Sequence, residues 1–414
     1  MDRIHKKNLR HAGRILAAAL LAAGSNAVAQ PATPFSGNVV RIGVLTDMSG
    51  VYSDVGGTGS VLAAQMAVED FKAAAKPAFK IEVVFADHQN KPDIGATKAR
   101  EWYDLHGVDM VADGINSAVA LAVARVTRDK DRIFMASGAG TTRLTNEECA
   151  PDHIVHYGWD TRSLASAPGR ALTEQGQDSW YFVSVDYILG RSLQQEASEA
   201  VKSSGGKVLG SVSHPLNASD FSSFMLQAQG SKAKVIALAN GGGDLINAVK
   251  AANEFGIKRN QTLVGLGSTI SDIHAMGLEA TQGMYVVEDF YWNLDEKTRA
   301  WSRRFMEKQK RMPNMIHAAT YSATLTYLNA VQRAGTDSAG EVMKQMRGAT
   351  IKDMFVRNGK IREDGRMIHP MYLLQVKKPS ESKGPWDYYH VRATISPEQL
   401  YPPLSESKCS ALIK

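Results

Sequence analysis

Two short stretches carry the polar groups best suited to holding a small anion. Asn116-Ser117 stands directly ahead of a helical stretch, Ala118 to Arg128, and Gly138-Ala139-Gly140 stands directly ahead of Thr141-Thr142. Unsatisfied backbone N–H groups and the helix dipole make such places natural partners for a carboxylate. A plain helix cap and a tight turn explain the same residues, and the roles are compatible because a cap uses one donor. Bond-breaking chemistry is not indicated. The chain has no G-x-S-x-G, no H-E-x-x-H, no P-loop and no complete G-x-G-x-x-G, and His88, His106, His153, His156, His214, His274 and His317 are scattered. Neither an enzyme nor a cofactor is expected.

Cys149 and Cys409 are the only cysteines. An even pair in an exported chain is most simply a disulfide, which would clip the C-terminal tail to the first half of the chain. The competing reading is a metal site, since His153 and His156 lie close to Cys149. Pro151 interrupts that spacing and no acidic ligand is near, so no metal is expected.

Export is read from the N-terminus. Lys6, Lys7, Arg10 and Arg14 precede the apolar run Ile15 to Gly24, and Ala27-Val28-Ala29 suits cleavage before Gln30. As a membrane anchor that run is about half the ~20 residues a bilayer requires. Removing residues 1–29 takes away five basic residues and Asp2, which lowers the formal charge from +6 to +2. The basic balance therefore belongs mostly to the signal, which argues against nucleic acid as a partner. The remaining length suits two domains.

These residues must be positioned by a repeating order of strand and helix. Strands are read at 39–46, 80–90, 110–117 and 132–140, with helices at 60–71, 92–103 and 118–128 between them. The pattern restarts after Pro151, with strands at 178–186, 206–214, 234–242, 261–268 and 283–290 and helices near 190–203, 219–230 and 244–255. The strand ends are polar or glycine-rich. The expected class is α/β, with two doubly wound Rossmann-like lobes and ligands beyond the carboxyl ends of the strands. A helical stretch from Asp295 to Arg333, broken at Met312-Pro313, precedes a helix near 338–348, and 360–376 reads as a hairpin turning at Asp364-Gly365.

The export signal, RIGVLTDMSGVYSDVG, SGAGTTRLT, DFSSFMLQAQ and the restart near residue 158 together resemble the branched-chain amino acid type of ABC-transporter substrate-binding protein. The resemblance implies three crossovers, near residues 157, 288 and 357. Lobe 1 would hold 39–157 plus 288–357, lobe 2 would hold 158–287 plus 358–400, and 401–414 would be a tail. It implies a periplasmic monomer that closes on a small ligand by hinge motion and delivers it to a membrane permease.

By the same resemblance, Ser117 and the Gly138, Ala139 and Gly140 backbone, beside Asn116, would grip the ligand's carboxylate. Tyr52, Ser53 and Asp54 would cover one side. Trp159, Asp160, Asp186, Tyr187, Leu189, Asn240 and Gly241 would line the closing half. Where the amino-acid binders place an acidic side chain, this chain has Gly267, Ser268 and Thr269. A buried ammonium without an anion is costly. The expected ligand is therefore a small carboxylate without an α-amine, unless Asp186 or Asp289 supplies the charge, and Gly241-Gly242-Gly243 is read as leaving room for a bulky group. Amino acid binding, a ligand sensor and an exported enzyme are the alternatives.

Overall fold

The computed structural model describes residues 35–412, and the export signal with its cut before Gln30 lies outside them. The first sheet is entirely parallel. It is built from β1 (Val39–Thr46), β2 (Lys80–Asp87), β3 (Met110–Asp113), β4 (Ile133–Ala136) and β5 (Ile154–His156), in the order β2-β1-β3-β4-β5. The second contains β6 (Ser179–Val185), β7 (Lys207–His214), β8 (Val235–Ala239), β9 (Thr262–Gly265) and β10 (Tyr285–Glu288). Beyond the short pair β11 (Lys360–Ile361) and β12 (Met367–Ile368), β13 (Met371–Val376) and β14 (Tyr389–Ile395) extend it antiparallel, in the order β14-β13-β10-β9-β8-β6-β7.

Position in the sheet explains the composition of each strand. β8 is buried along its whole length between β6 and β9 and reads VIALA, the run of apolar residues expected of a strand covered on both faces. β7 stands at the sheet edge and alternates exposed with half-buried residues over most of its length, which lowers the apolar content that its place requires.

The helices among the described residues are α1 (Gly57–Ala75), α2 (Pro92–Leu105), α3 (Ser117–Asp129), α4 (Thr161–Glu174), α5 (Ile188–Ser203), α6 (Ser222–Gly230), α7 (Gly242–Glu254), α8 (Ile270–Met276), α9 (Leu278–Thr281), α10 (Glu296–Gln309), α11 (Met315–Ala334), α12 (Ala339–Arg347) and α13 (Pro397–Leu400). The chain passes between the sheets three times. After β5 it enters α4, which packs on α5 and β10; after β10 it enters α10 and α11, which pack back on α1; and before β13 it returns through the β11–β12 pair.

The returning segment corrects the hairpin expected over 360–376. The turn at Asp364-Gly365 is present, with Gly365 at φ 83°, but it closes only β11 on β12. His369-Pro370 then ends that pair, and β13 joins β10 and β14 instead. Strand β5, helix α4 and strand β14 do not figure among the expected elements. The three residues of β5 are too few to show a periodicity.

Arg366 ties the crossovers together. It is buried, and its guanidinium donates to the carbonyls of His156 (2.7 Å) and Gly158 (2.5 Å) and pairs with Asp160 at 2.9 Å. Burial alone would raise the Asp160 carboxyl, but Arg366 and His156 hold it below the usual range. Removing either partner would strand a buried charge, at a cost of about 3–5 kcal/mol. Cys149 and Cys409 form the expected disulfide, so the sulfur proposed as a metal ligand is already bonded.

Candidate functional site

Six loops at the carboxyl ends of parallel strands converge on one cavity. The loop after β1 contributes Tyr52 and Val55, and that after β3 contributes Ile115, Asn116 and Ser117. Gly138 and Gly140 follow β4, Tyr187 and Leu189 follow β6, Gly241 and Gly242 follow β8, and Gly267 and Thr269 follow β9. Trp159 enters from the first crossover, and Met315 and Ile316 from the start of α11. The cavity measures about 30 Å³.

Local chemistry explains why the loops hold these shapes. Asp47 folds the first loop by accepting from the N–H of Gly50 (2.7 Å) and of Tyr52 (3.0 Å). After β3 the backbone turns through positive φ at Asp113 (77°), Gly114 (67°) and Asn116 (89°). Asp and Asn tolerate such angles better than most residues do. The Asn116 carbonyl oxygen then caps α3 by accepting from Ala118 (2.8 Å) and Val119 (3.1 Å), while its amide donates to Asn90. This leaves Ser117, the first residue of α3, with its buried hydroxyl unpaired within the protein.

The glycines of SGAG answer to packing. A Cβ at Gly138 would lie 1.9 Å from Asp113 Oδ1, and one at Gly140 would lie 1.8 Å from the Trp159 ring. Trp159 therefore lies flat on the turn, with its own buried Nε1 unpaired. Burial pushes Asp113, beneath that turn, up to about 6.

No residue lining the cavity carries a charge. Helices α3, α5, α7 and α11 all begin at its wall, while the carboxyls of Asp47, Asp244 and Asp272, behind the lining, act on Tyr52. Burial raises the Tyr52 and Tyr187 phenols well above their ordinary range, so both stay neutral hydroxyls.

Of the residues expected at the site, Tyr52, Asn116, Ser117, Gly138, Gly140, Trp159, Tyr187, Leu189, Gly241 and Gly267 border the cavity. The structure places the others elsewhere. Asp54 is exposed and paired with Arg311 at 2.9 Å, Ser53 lies beside it on the outer turn, and Asp186 is exposed and paired with Arg191 at 2.8 Å. Ala139 packs into the core behind the turn, where its carbonyl accepts from His156. Asp160 caps α4 and pairs with Arg366, facing a larger polar cavity of about 530 Å³ in which Arg362 and Asp364 also pair with each other. The Asn240 amide donates to His214, and Ser268 is buried behind Gly267.

Two expectations change. The space beside Gly241-Gly242-Gly243 is taken by neighbouring protein atoms: a Cβ at Gly242 would lie 2.5 Å from the Val51 carbonyl of the facing loop, and one at Gly241 would lie 2.6 Å from the Gly267 carbonyl. Asp289 does not reach the cavity. It is buried at 3.9 Å from His369, and burial pushes its carboxyl up to about 8.

Val55, Ile115, Met315 and Ile316 are apolar wall residues absent from the expected set. Met315 and Ile316 follow the Asn314 cap at the break beside Met312-Pro313, and that break is the one local signal that could have marked them.

A family model described as periplasmic binding protein matches residues 39–384. A periplasmic binding protein from Burkholderia mallei is 50% identical, with 91% of this chain and 99% of that one covered and a TM-score of 0.87. A branched chain amino acid ABC transporter periplasmic ligand-binding protein from Burkholderia xenovorans LB400 is 37% identical, covering 90% and 99%, with a TM-score of 0.81. At 18% identity the fold is shared with an ABC transporter solute binding protein from Rhodopseudomonas palustris BisB5, in complex with 3,4-dihydroxy benzoic acid (TM-score 0.80, covering 88% and 99%). The match to Leu/Ile/Val-binding protein homolog 4 of Brucella abortus, 22% identical, spans 43% of this chain and 45% of that relative's length. The chain belongs to the periplasmic binding protein family, and within it to the branched-chain amino acid ABC-transporter type.

Proposed function

We propose that this protein captures a small carboxylate lacking an α-amine between its two sheets and delivers it to the membrane permease of an ABC importer. The observation that carries this reading is a cavity with no charged lining residue, entered by the N-termini of four helices. Such a site favours an anion through oriented N–H dipoles. It offers an ammonium no counter-charge, and stranding one there would be costly. Ser117 and the Gly138 to Gly140 turn hold the carboxylate, and Tyr52, Trp159, Tyr187 and Leu189 enclose the rest of the ligand. The Rhodopseudomonas neighbour supports the reading only to the extent that the fold can hold an acid of this kind.

The protein acts after export, cleaved before Gln30, as a monomer that does no chemistry on its ligand. N-terminal mass mapping and sedimentation check those points. Calorimetric titration with aliphatic acids, aromatic acids, leucine and valine tests the ligand class. Binding of acids is expected, and tight leucine or valine binding with no response to acids overturns the reading. The relative from Burkholderia xenovorans, named for branched chain amino acids, favours that second outcome as the alternative.

A further inference from the structure

The roof of the cavity sets a limit on what fits beneath it. Tyr52 comes from the loop after β1 and Tyr187 from the turn after β6, so their hydroxyls meet across the cleft, 2.6 Å apart. The surroundings leave this contact little slack. The Gly243 N–H points at the Val51 carbonyl at 3.4 Å. A Cβ at Gly242 would touch both that carbonyl and, at 3.2 Å, the Tyr52 ring. Asn314 donates to the Val55 carbonyl at 2.9 Å and to Ser271 Oγ at 3.1 Å, joining the loop to the start of α8. Parting the two hydroxyls means lifting the loop over residues 51–55 away from α7.

Beneath this roof the cavity measures about 30 Å³. A cavity that takes up benzene measures about 150 Å³, and a single water needs roughly 10–15 Å³. With the roof closed that is space for about two or three waters, so a short aliphatic carboxylate is the scale it approaches and an aromatic ring does not fit.

We propose that the Tyr52–Tyr187 hydrogen bond is a specificity-determining latch. It stays closed above a short aliphatic carboxylate and must break to admit an aromatic one. The inference rests on the carboxylate reading above and adds to it a size ceiling with two named residues.

A double-mutant cycle on the mature protein tests it, with Tyr52→Phe, Tyr187→Phe and the double variant titrated calorimetrically with propionate and with benzoate. The phenylalanines keep the rings, and unfolding midpoints report whether each variant folds. With propionate, each single variant should bind about fivefold more weakly, the worth of one net hydrogen bond, and the double variant no more weakly than either. With benzoate, whatever each single variant loses should multiply in the double variant, because the two hydroxyls are then already apart. Multiplicative losses with propionate, or the same coupling with benzoate, overturn the latch while leaving carboxylate binding intact. If the wild-type protein binds neither acid, the carboxylate reading fails and the latch fails with it.

Discussion

Gly242 has no side chain where the loop over residues 51–55 meets the start of α7, and Gly242→Ala turns that close approach into a measurement. The new Cβ would stand 2.5 Å from the Val51 carbonyl oxygen. Ordinary C···O contacts begin near 3.3 Å, so the facing loop must withdraw by about 0.8 Å. A shift of that size takes the Tyr52–Tyr187 contact, now 2.6 Å, out to about 3.4 Å, past the hydrogen-bond range. At about 1 kcal/mol for that bond, ligand binding should weaken by roughly fivefold. Alanine also dislikes the native φ of 58° at this position. That cost, about 1–2 kcal/mol, is paid whether or not the cleft closes. Gly335→Ala isolates it, because Gly335 sits in the left-handed region at φ 66° and its Cβ would meet nothing within 4 Å. Titration of an acid that binds the wild type, together with urea unfolding, separates the two effects. Both variants should lose similar stability, and only Gly242→Ala should lose affinity. Equal affinity in the two variants would refute the claim that the close approach at Gly242 supports binding.

Ser117→Ala should weaken binding of a carboxylate by about 10- to 100-fold, the worth of a hydrogen bond to a charged group, with an unchanged or higher unfolding midpoint, since a buried unpaired hydroxyl is removed. Reducing the Cys149–Cys409 bond, which spans 260 residues, should lower stability by up to about 5 kcal/mol, read as a shift in the denaturant midpoint with and without reductant; an unmoved midpoint would contradict it. His317 donates from Nε2 to the Gly56 carbonyl and accepts at Nδ1 from the Asn314 N–H, and burial drives it down to about 4. The unfolded chain takes up that proton near pH 6.5, so stability is lost as the pH falls from about 6.5 to 4. His317→Gln, which keeps a capping side chain, should flatten this acid loss by roughly 2 kcal/mol, measured by urea unfolding at pH 7 and pH 4.5.

Much of the architecture was legible because it is written in local patterns. β1 and β8 read as strands from their apolar runs, and Asp295 to Arg333 divides into α10 and α11 at Met312-Pro313 as its composition implies. What was not legible has a physical cause in each case. β5 is too short for periodicity. The 360–376 stretch alternates like a hairpin, but β10 competes for β13 and wins it. Asp54 was placed by a partner distant in sequence and Asp289 by burial, neither of which a local motif records, while Asp186 turns outward to Arg191 five residues on.

The sequence by itself determined that this is a two-sheet α/β chain whose strands end in polar, glycine-rich loops, and it singled out Ser117 and the Gly138 to Gly140 turn. Periodicity and turn chemistry act over a few residues, and a few residues suffice to read them. Only the tertiary structure decided that Gly242 serves the facing loop, that Met315 and Ile316 close the wall, and that Tyr52 and Tyr187 meet. Those contacts join residues more than a hundred positions apart across a cleft, and their geometry exists only once both sheets and the crossovers between them are in place.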